Sequence, residues 1–141
     1  MKQILTRTWL LRDLTQKEVD ALWGVTLPLR VDPGTLLIEA GKPNDSLWII
    51  CDGKIAIGFP IVGSAKKEEK IVAELGEGDI CGEMSWLDGQ PASANTRALE
   101  HSQILRIRFS DFEKFLGKFP EAHIGVLRKF AINLSHRLRG K

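Results

Sequence analysis

Gly76-Glu77-Gly78-Asp79-Ile80-Cys81-Gly82-Glu83-Met84-Ser85-Trp86-Leu87, followed by Asp88-Gly89-Gln90-Pro91-Ala92-Ser93-Ala94, is the stretch around which the chain is organised. It reads as a turn, a short strand, a single helical turn and a loop. Glycines placed around an acidic residue predict a tight turn at 76–79, and Gly82-Glu83 sets bare backbone beside a carboxylate at a helix start. That pairing suits a sugar phosphate: orphan amides at a helix start carry partial positive charge, and a carboxylate accepts from ribose hydroxyls.

Outward from this stretch the chain is extended in both directions. Downstream, 94–99 and 102–109 read as strands, the second alternating Ile104, Arg106 and Arg108 against Leu105, Ile107 and Phe109. Upstream, 35–39 reads as a strand, 40–45 as a turn, and 46–51, rich in Trp, Leu and Ile, as a second strand. Asp52-Gly53 predicts a type I′ hairpin into 54–59, with Ile55, Ile57 and Phe59 on one face. A mixed-charge tip at 64–70 then leads into a strand at 71–75, the tip reading as a solvated loop. Short strands at regular spacing predict a small antiparallel barrel.

Helices flank these strands. Thr15 and Glu18 form a capping box with Leu14 and Val19 as the staple, and Gly24 ends the helix. Ser110-Asp111-Phe112-Glu113 predicts a second capping box, Gly117 a stop, and Pro120 a fresh start. In the last segment Ile124, Leu127, Ala131, Leu134 and Leu138 recur at spacings of three and four, and Val126 and Phe130 form a second apolar edge. That seam serves either packing on the same chain or a homodimer.

The quoted stretch resembles the phosphate-binding cassette of cyclic-nucleotide-binding domains, in which Phe-Gly-Glu-Leu-(Ala/Ser)-Leu precedes Pro-Arg-(Ala/Ser)-(Ala/Ser). The resemblance extends through Val31-Asp32-Pro33-Gly34, Glu39-Ala40-Gly41, Ser46-Leu47-Trp48-Ile49-Ile50 and Asp52-Gly53 to the helices after Phe109. It implies a mainly β fold: an antiparallel, jelly-roll-like β-roll with an N-terminal helix, a short cassette helix and C-terminal helices. One domain over 1–141 is expected, with the helix at 13–25, the roll at 27–109 and the trailing helices at 110–141. The implied ligand is cAMP, cGMP or a related phosphorylated molecule. It would be held at Gly82, Glu83, Met84, Ser85, Ala92 and Ser93, and the terminal helix would move on filling.

Ala92 departs from the pattern, standing where the family carries the arginine that neutralises the phosphate, while Ser93 keeps the small polar position. An unpaired desolvated charge costs about 3–5 kcal/mol, roughly two to three decades of affinity. Arg97 shares strand parity with Ser93 and Asn95, yet reads more readily as a surface residue. Glu83 reads either as the ribose acceptor or as a helix cap, and Met84, Trp86 and Trp48 as packing residues. Two functions stay open: a ligand-sensing module, or a degenerate pocket on a dimerisation or protein-docking unit.

Composition narrows the classes. The 141 residues suffice for one core, and 20 basic against 18 acidic residues leave no field arguing for nucleic acid or membrane. Two cysteines, Cys51 and Cys81, are too few for a disulfide scaffold and read as buried thiols. His101, His123 and His136 are scattered, so no metal-bearing set and no nucleophile with its base is read, and no cofactor or catalysis is expected. No signal peptide or membrane span is read, which predicts a cytoplasmic protein. One helical segment after Pro120 leaves no recognition helix, so direct DNA binding is not expected.

Overall fold

In a computed structural model, residues 1–63 and 68–140 are described. Eight strands form two antiparallel four-stranded sheets, ordered β1-β8-β3-β6 and β2-β7-β4-β5. They are β1 (Leu27–Val31), β2 (Leu36–Ile38), β3 (Ser46–Asp52), β4 (Ile55–Pro60), β5 (Glu69–Leu75), β6 (Ile80–Cys81), β7 (Asn95–Ala98) and β8 (Ser102–Arg108). A 3-10 helix (Lys2–Arg7) and α1 (Gln16–Trp23) precede them. Helix α2 (Glu83–Asp88) interrupts them, and α3 (Phe109–Lys118) and α4 (Pro120–Leu138) follow. This is the β-roll with flanking helices that the resemblance implies.

The first sheet is apolar on both faces because it is the middle layer. On β3, Leu47 and Ile49 turn to the helices, meeting Leu22, Phe112, Val126 and Phe130, whereas Trp48 and Ile50 turn to the second sheet. β8 does the same, with Leu105 and Ile107 beneath the helices and Ile104 between the sheets. Period-two alternation therefore feeds two cores from one strand.

The Asp52-Gly53 hairpin is not formed. β3 pairs with β8 and β6, and β4 with β7 and β5, so this turn is a corner where the chain changes sheets. A Cβ on Gly53, whose φ is +108°, would lie 2.1 Å from Ser102 Oγ, so the corner closes only around glycine. The hairpin in this region is β4–β5, where a register shift after Ile57 leaves Phe59 exposed rather than aligned with Ile55. Residues 64–67 of its tip lie outside the described residues. Pro28 sits on β1, an edge strand, where a missing donor costs no ladder bond.

At the N-terminal helix the capping box forms as read: Glu18 N–H donates to Thr15 Oγ1 at 3.2 Å, and Thr15 N–H to Glu18 Oε1 at 2.8 Å. The second box does not form. Helix α3 begins at Phe109, whose N–H donates to the Asp45 carbonyl at 2.7 Å, so Ser110 lies inside the helix. Gly117 lies inside as well, one residue before the end.

Helix α4 buries Val126 and Phe130, the second apolar edge, together with Ala122. The seam faces outward instead: Ile124 is 61% exposed, Leu127 43%, Leu134 46% and Leu138 88%, and Ala131 is also exposed.

Candidate functional site

The turn before the cassette closes through Gly76 N–H donating to Asp79 Oδ2 at 2.9 Å and Asp79 N–H to the Gly76 carbonyl at 3.0 Å. β6 then pairs Ile80 and Cys81 with Ile49 and Trp48. Gly82, at φ +88°, swings the chain out of the strand into α2. A Cβ there would meet the Ser46 carbonyl at 2.5 Å and Asn44 Nδ2 at 2.7 Å, so the site demands glycine for both its angle and its space.

Asn44 is the clamp that brings these backbones together. Its Nδ2 donates to the Ser46 carbonyl at 2.9 Å and to the Gly82 carbonyl at 3.4 Å, while its Oδ1 accepts from Ser46 N–H at 3.2 Å. Sequence reasoning placed Asn44 in a turn and gave it no role. An Asn two residues before a strand is the available signal, since its amide readily satisfies backbone two residues on.

The opposite wall is fixed by backbone pairing. Gly41 N–H donates to the Ala92 carbonyl at 2.8 Å and Ala92 N–H to the Lys42 carbonyl at 3.2 Å, while Asn95 Oδ1 accepts from Ala40 N–H at 2.7 Å. Between the walls lies a cleft of about 180 Å³, with Gly82, Glu83, Met84 and Ser85 on one side and Ala92 and Ser93 on the other. The structure thus brings together all six residues read as ligand-binding.

Glu83 opens α2, and its Oε2 oxygen is buried with no hydrogen-bond partner. Burial pushes its carboxyl above the ordinary glutamate range, against the smaller pull of its own backbone N–H and the Arg137 charge. An unsatisfied buried acceptor is costly to keep.

Arg97 does not reach the cleft. Its Nε donates to Glu69 Oε1 at 2.9 Å and its NH1 to the Gly34 carbonyl at 3.1 Å, so it is half-buried in an ion pair rather than a free surface residue. Arg106 is likewise engaged, donating to Ser46 Oγ at 2.8 Å and pairing with Asp45 at 3.0 Å, above the Trp48 ring.

The far face of the cassette contacts the helices. Trp86 stacks on Phe130 of α4 at 5.7 Å and meets Phe112 of α3 edge-on at 5.2 Å. Its Nε1–H donates to Glu113 Oε1 at 2.8 Å, the carboxylate that had been read as a cap. Met84 does not share this packing and is 41% exposed at the cleft. Two residues apart on a helix point to different sides, so only one of Met84 and Trp86 can face the core.

Cys81 is buried, and its thiol is pushed far above the ordinary range by burial and then by the nearby Glu83 and Asp79 charges; burial raises Cys51 as well. Neither thiol is poised as a thiolate. Among the described residues no cluster of His, Cys, Asp or Glu could hold a metal, and no helix is long and apolar enough to cross a membrane.

The profile of the cyclic nucleotide-binding domain matches residues 28–119, and the chain belongs to that family. It is 22% identical over 120 residues to the cAMP-dependent protein kinase regulatory subunit of Dictyostelium discoideum, covering 85% of this chain and 37% of that protein. The N-terminal domain of a transcriptional regulator from Streptomyces coelicolor superposes with a TM-score of 0.85 at 25% identity, covering 97% of this chain and 94% of that one. The regulatory subunit of a cAMP-independent protein kinase A from Trypanosoma brucei superposes at 0.74 with 27% identity, covering 92% and 45%. A variant of that subunit with three substitutions, one of them threonine to arginine, was solved with cAMP bound in its A site.

Proposed function

We propose that this chain is a non-enzymatic, ligand-sensing regulatory domain whose cleft takes a ribose-bearing ligand of the cyclic-nucleotide type, with occupancy relayed to the C-terminal helices. The observation that carries the reading is the buried, unpartnered Oε2 of Glu83, a residue that lines a cleft in a domain of this family. Ribose hydroxyls are the donors that such an oxygen lacks. Trp86 supplies the relay. It belongs to the cassette yet stacks on Phe130 of α4, so a shift of α2 on filling moves a side chain that α4 packs against.

Calorimetric titration with cAMP, cGMP, adenosine and guanosine tests this reading. Saturable binding to the wild-type protein, lost in Glu83→Ala and accompanied by altered hydrogen exchange in α4, is the expected result. No heat and no thermal shift with any of the four at millimolar concentration would leave the degenerate-pocket reading standing. Binding with unchanged α4 protection would remove the relay.

A second reading is favoured by the outward seam: two copies pair through Ile124, Leu127, Ala131, Leu134 and Leu138. Four of these large side chains are exposed on one helix whose opposite face is already buried. Leu127→Glu is expected to halve the solution mass toward 15.8 kDa in light scattering. A wild-type protein that stays monomeric at high concentration excludes the pairing.

A further inference from the structure

The lining of the cleft, taken as a ribose site, also bears on the charge of the ligand that it accepts. Among the described residues lining the cleft there is one carboxylate, Glu83, and no Lys, Arg or His. The two arginines nearest in the strands are spent elsewhere, Arg97 on Glu69 and the Gly34 carbonyl, and Arg106 on Asp45 and Ser46. Each would have to abandon a made ion pair to enter. Arg137 influences Glu83 from the exposed last turn of α4 without lining the cleft. Ala92, the residue opposite the carboxylate, is partly buried against the core between the sheets and offers a methyl group.

We infer that the cleft selects an uncharged ribonucleoside over its cyclic monophosphate. Glu83 Oε2 takes its missing hydrogen bond from a ribose hydroxyl, and the sugar edge away from Glu83 lies against Ala92 and the Ser93 hydroxyl, where a phosphate would find no counter-charge. A phosphate at that position would share the cleft with a like charge and with no basic side chain in its lining. Neutral hydroxyls can be satisfied there by Ser93, Ser85 and backbone. Discrimination comes from the repulsive element as much as from the attractive one.

Titration of adenosine, guanosine and uridine against their 3′,5′-cyclic monophosphates tests the inference, with Ala92→Arg alongside. At least one nucleoside is expected to bind about tenfold or more tightly than its cyclic monophosphate. In Ala92→Arg that order reverses, and a melting temperature and far-ultraviolet dichroism spectrum matching the wild type report that the variant folds. A cyclic monophosphate binding as tightly as its nucleoside in the wild type overturns the inference and leaves the ribose reading intact. If that affinity then falls in Arg137→Ala, the counter-charge belongs to α4. An absence of binding by both series overturns both readings.

Discussion

Gly82→Ala is expected to lower the melting temperature by about 10 °C and to abolish ligand binding even where the protein still folds. Two costs add at this position. A non-glycine residue at φ +88° loses about 1–2 kcal/mol to the left-handed conformation. The new methyl group also falls 2.5 Å from the Ser46 carbonyl, a backbone atom of β3 that cannot rotate away, and overpacking of this kind costs about 1–3 kcal/mol. A combined loss of about 3 kcal/mol at a few degrees per kcal/mol gives the shift. Relief requires the cassette to leave β3, and that breaks the Asn44 clamp and displaces Glu83. Differential scanning calorimetry with parallel titration checks both parts. A variant melting within 2 °C of wild type would show that the cassette is not seated against Ser46 as described.

Asp52-Gly53 shows which part of the fold a local reading misses. The dipeptide bends the chain without closing a hairpin, because a local turn signal does not name the partner of the strand that follows it. β3 carries Leu47, Trp48, Ile49 and Ile50 in succession, a run that needs cover on both faces and a neighbour on each edge. β8 and β6 supply the neighbours, so β4 is pushed to the other sheet. The same limit explains the capping box at Ser110: Asp45, remote in sequence, presents a carbonyl to Phe109, and the helix starts two residues early.

Where contacts are local, the reading held. Thr15-Glu18 and the turn at 76–79 are each settled within a few residues. The placement of Gly82, Glu83, Ala92 and Ser93 around one cleft followed from the resemblance. What no spacing encodes is the isolation of Glu83 Oε2, because that depends on where Arg97, Arg106 and Arg137 do not point. Asn44 escaped for a similar reason, since its partners Ser46 and Gly82 lie in strand and cassette at once.

Glu83→Gln is expected to weaken ligand binding about 10- to 100-fold while making the unliganded protein more stable at neutral pH. The binding loss is that of exchanging charge-assisted hydrogen bonds, worth about 1.5–3 kcal/mol, for neutral ones. The stability gain follows from proton linkage. In the unfolded chain Glu83 releases its proton near the ordinary value of 4.5, whereas burial holds the proton to a higher pH in the fold. Between those two values the native state binds more protons than the unfolded state, so stability falls as pH rises through the window and levels off above the folded value. Below 4.5 both states carry a neutral carboxyl, and the variant should match the wild type there. Glutamine cannot ionise and escapes the loss, so the two denaturation curves separate as pH rises above the ordinary glutamate range. A ribose hydroxyl donated to Oε2 stabilises the charged form, so saturating ligand should raise the wild type toward the variant and be taken up with proton release. Urea denaturation at pH 4 and pH 8, with and without ligand, reads all of this. A wild type more stable than the variant at pH 8 without ligand would mean that Oε2 already has a donor in solution, and Glu83 would then be a structural cap rather than a binding group.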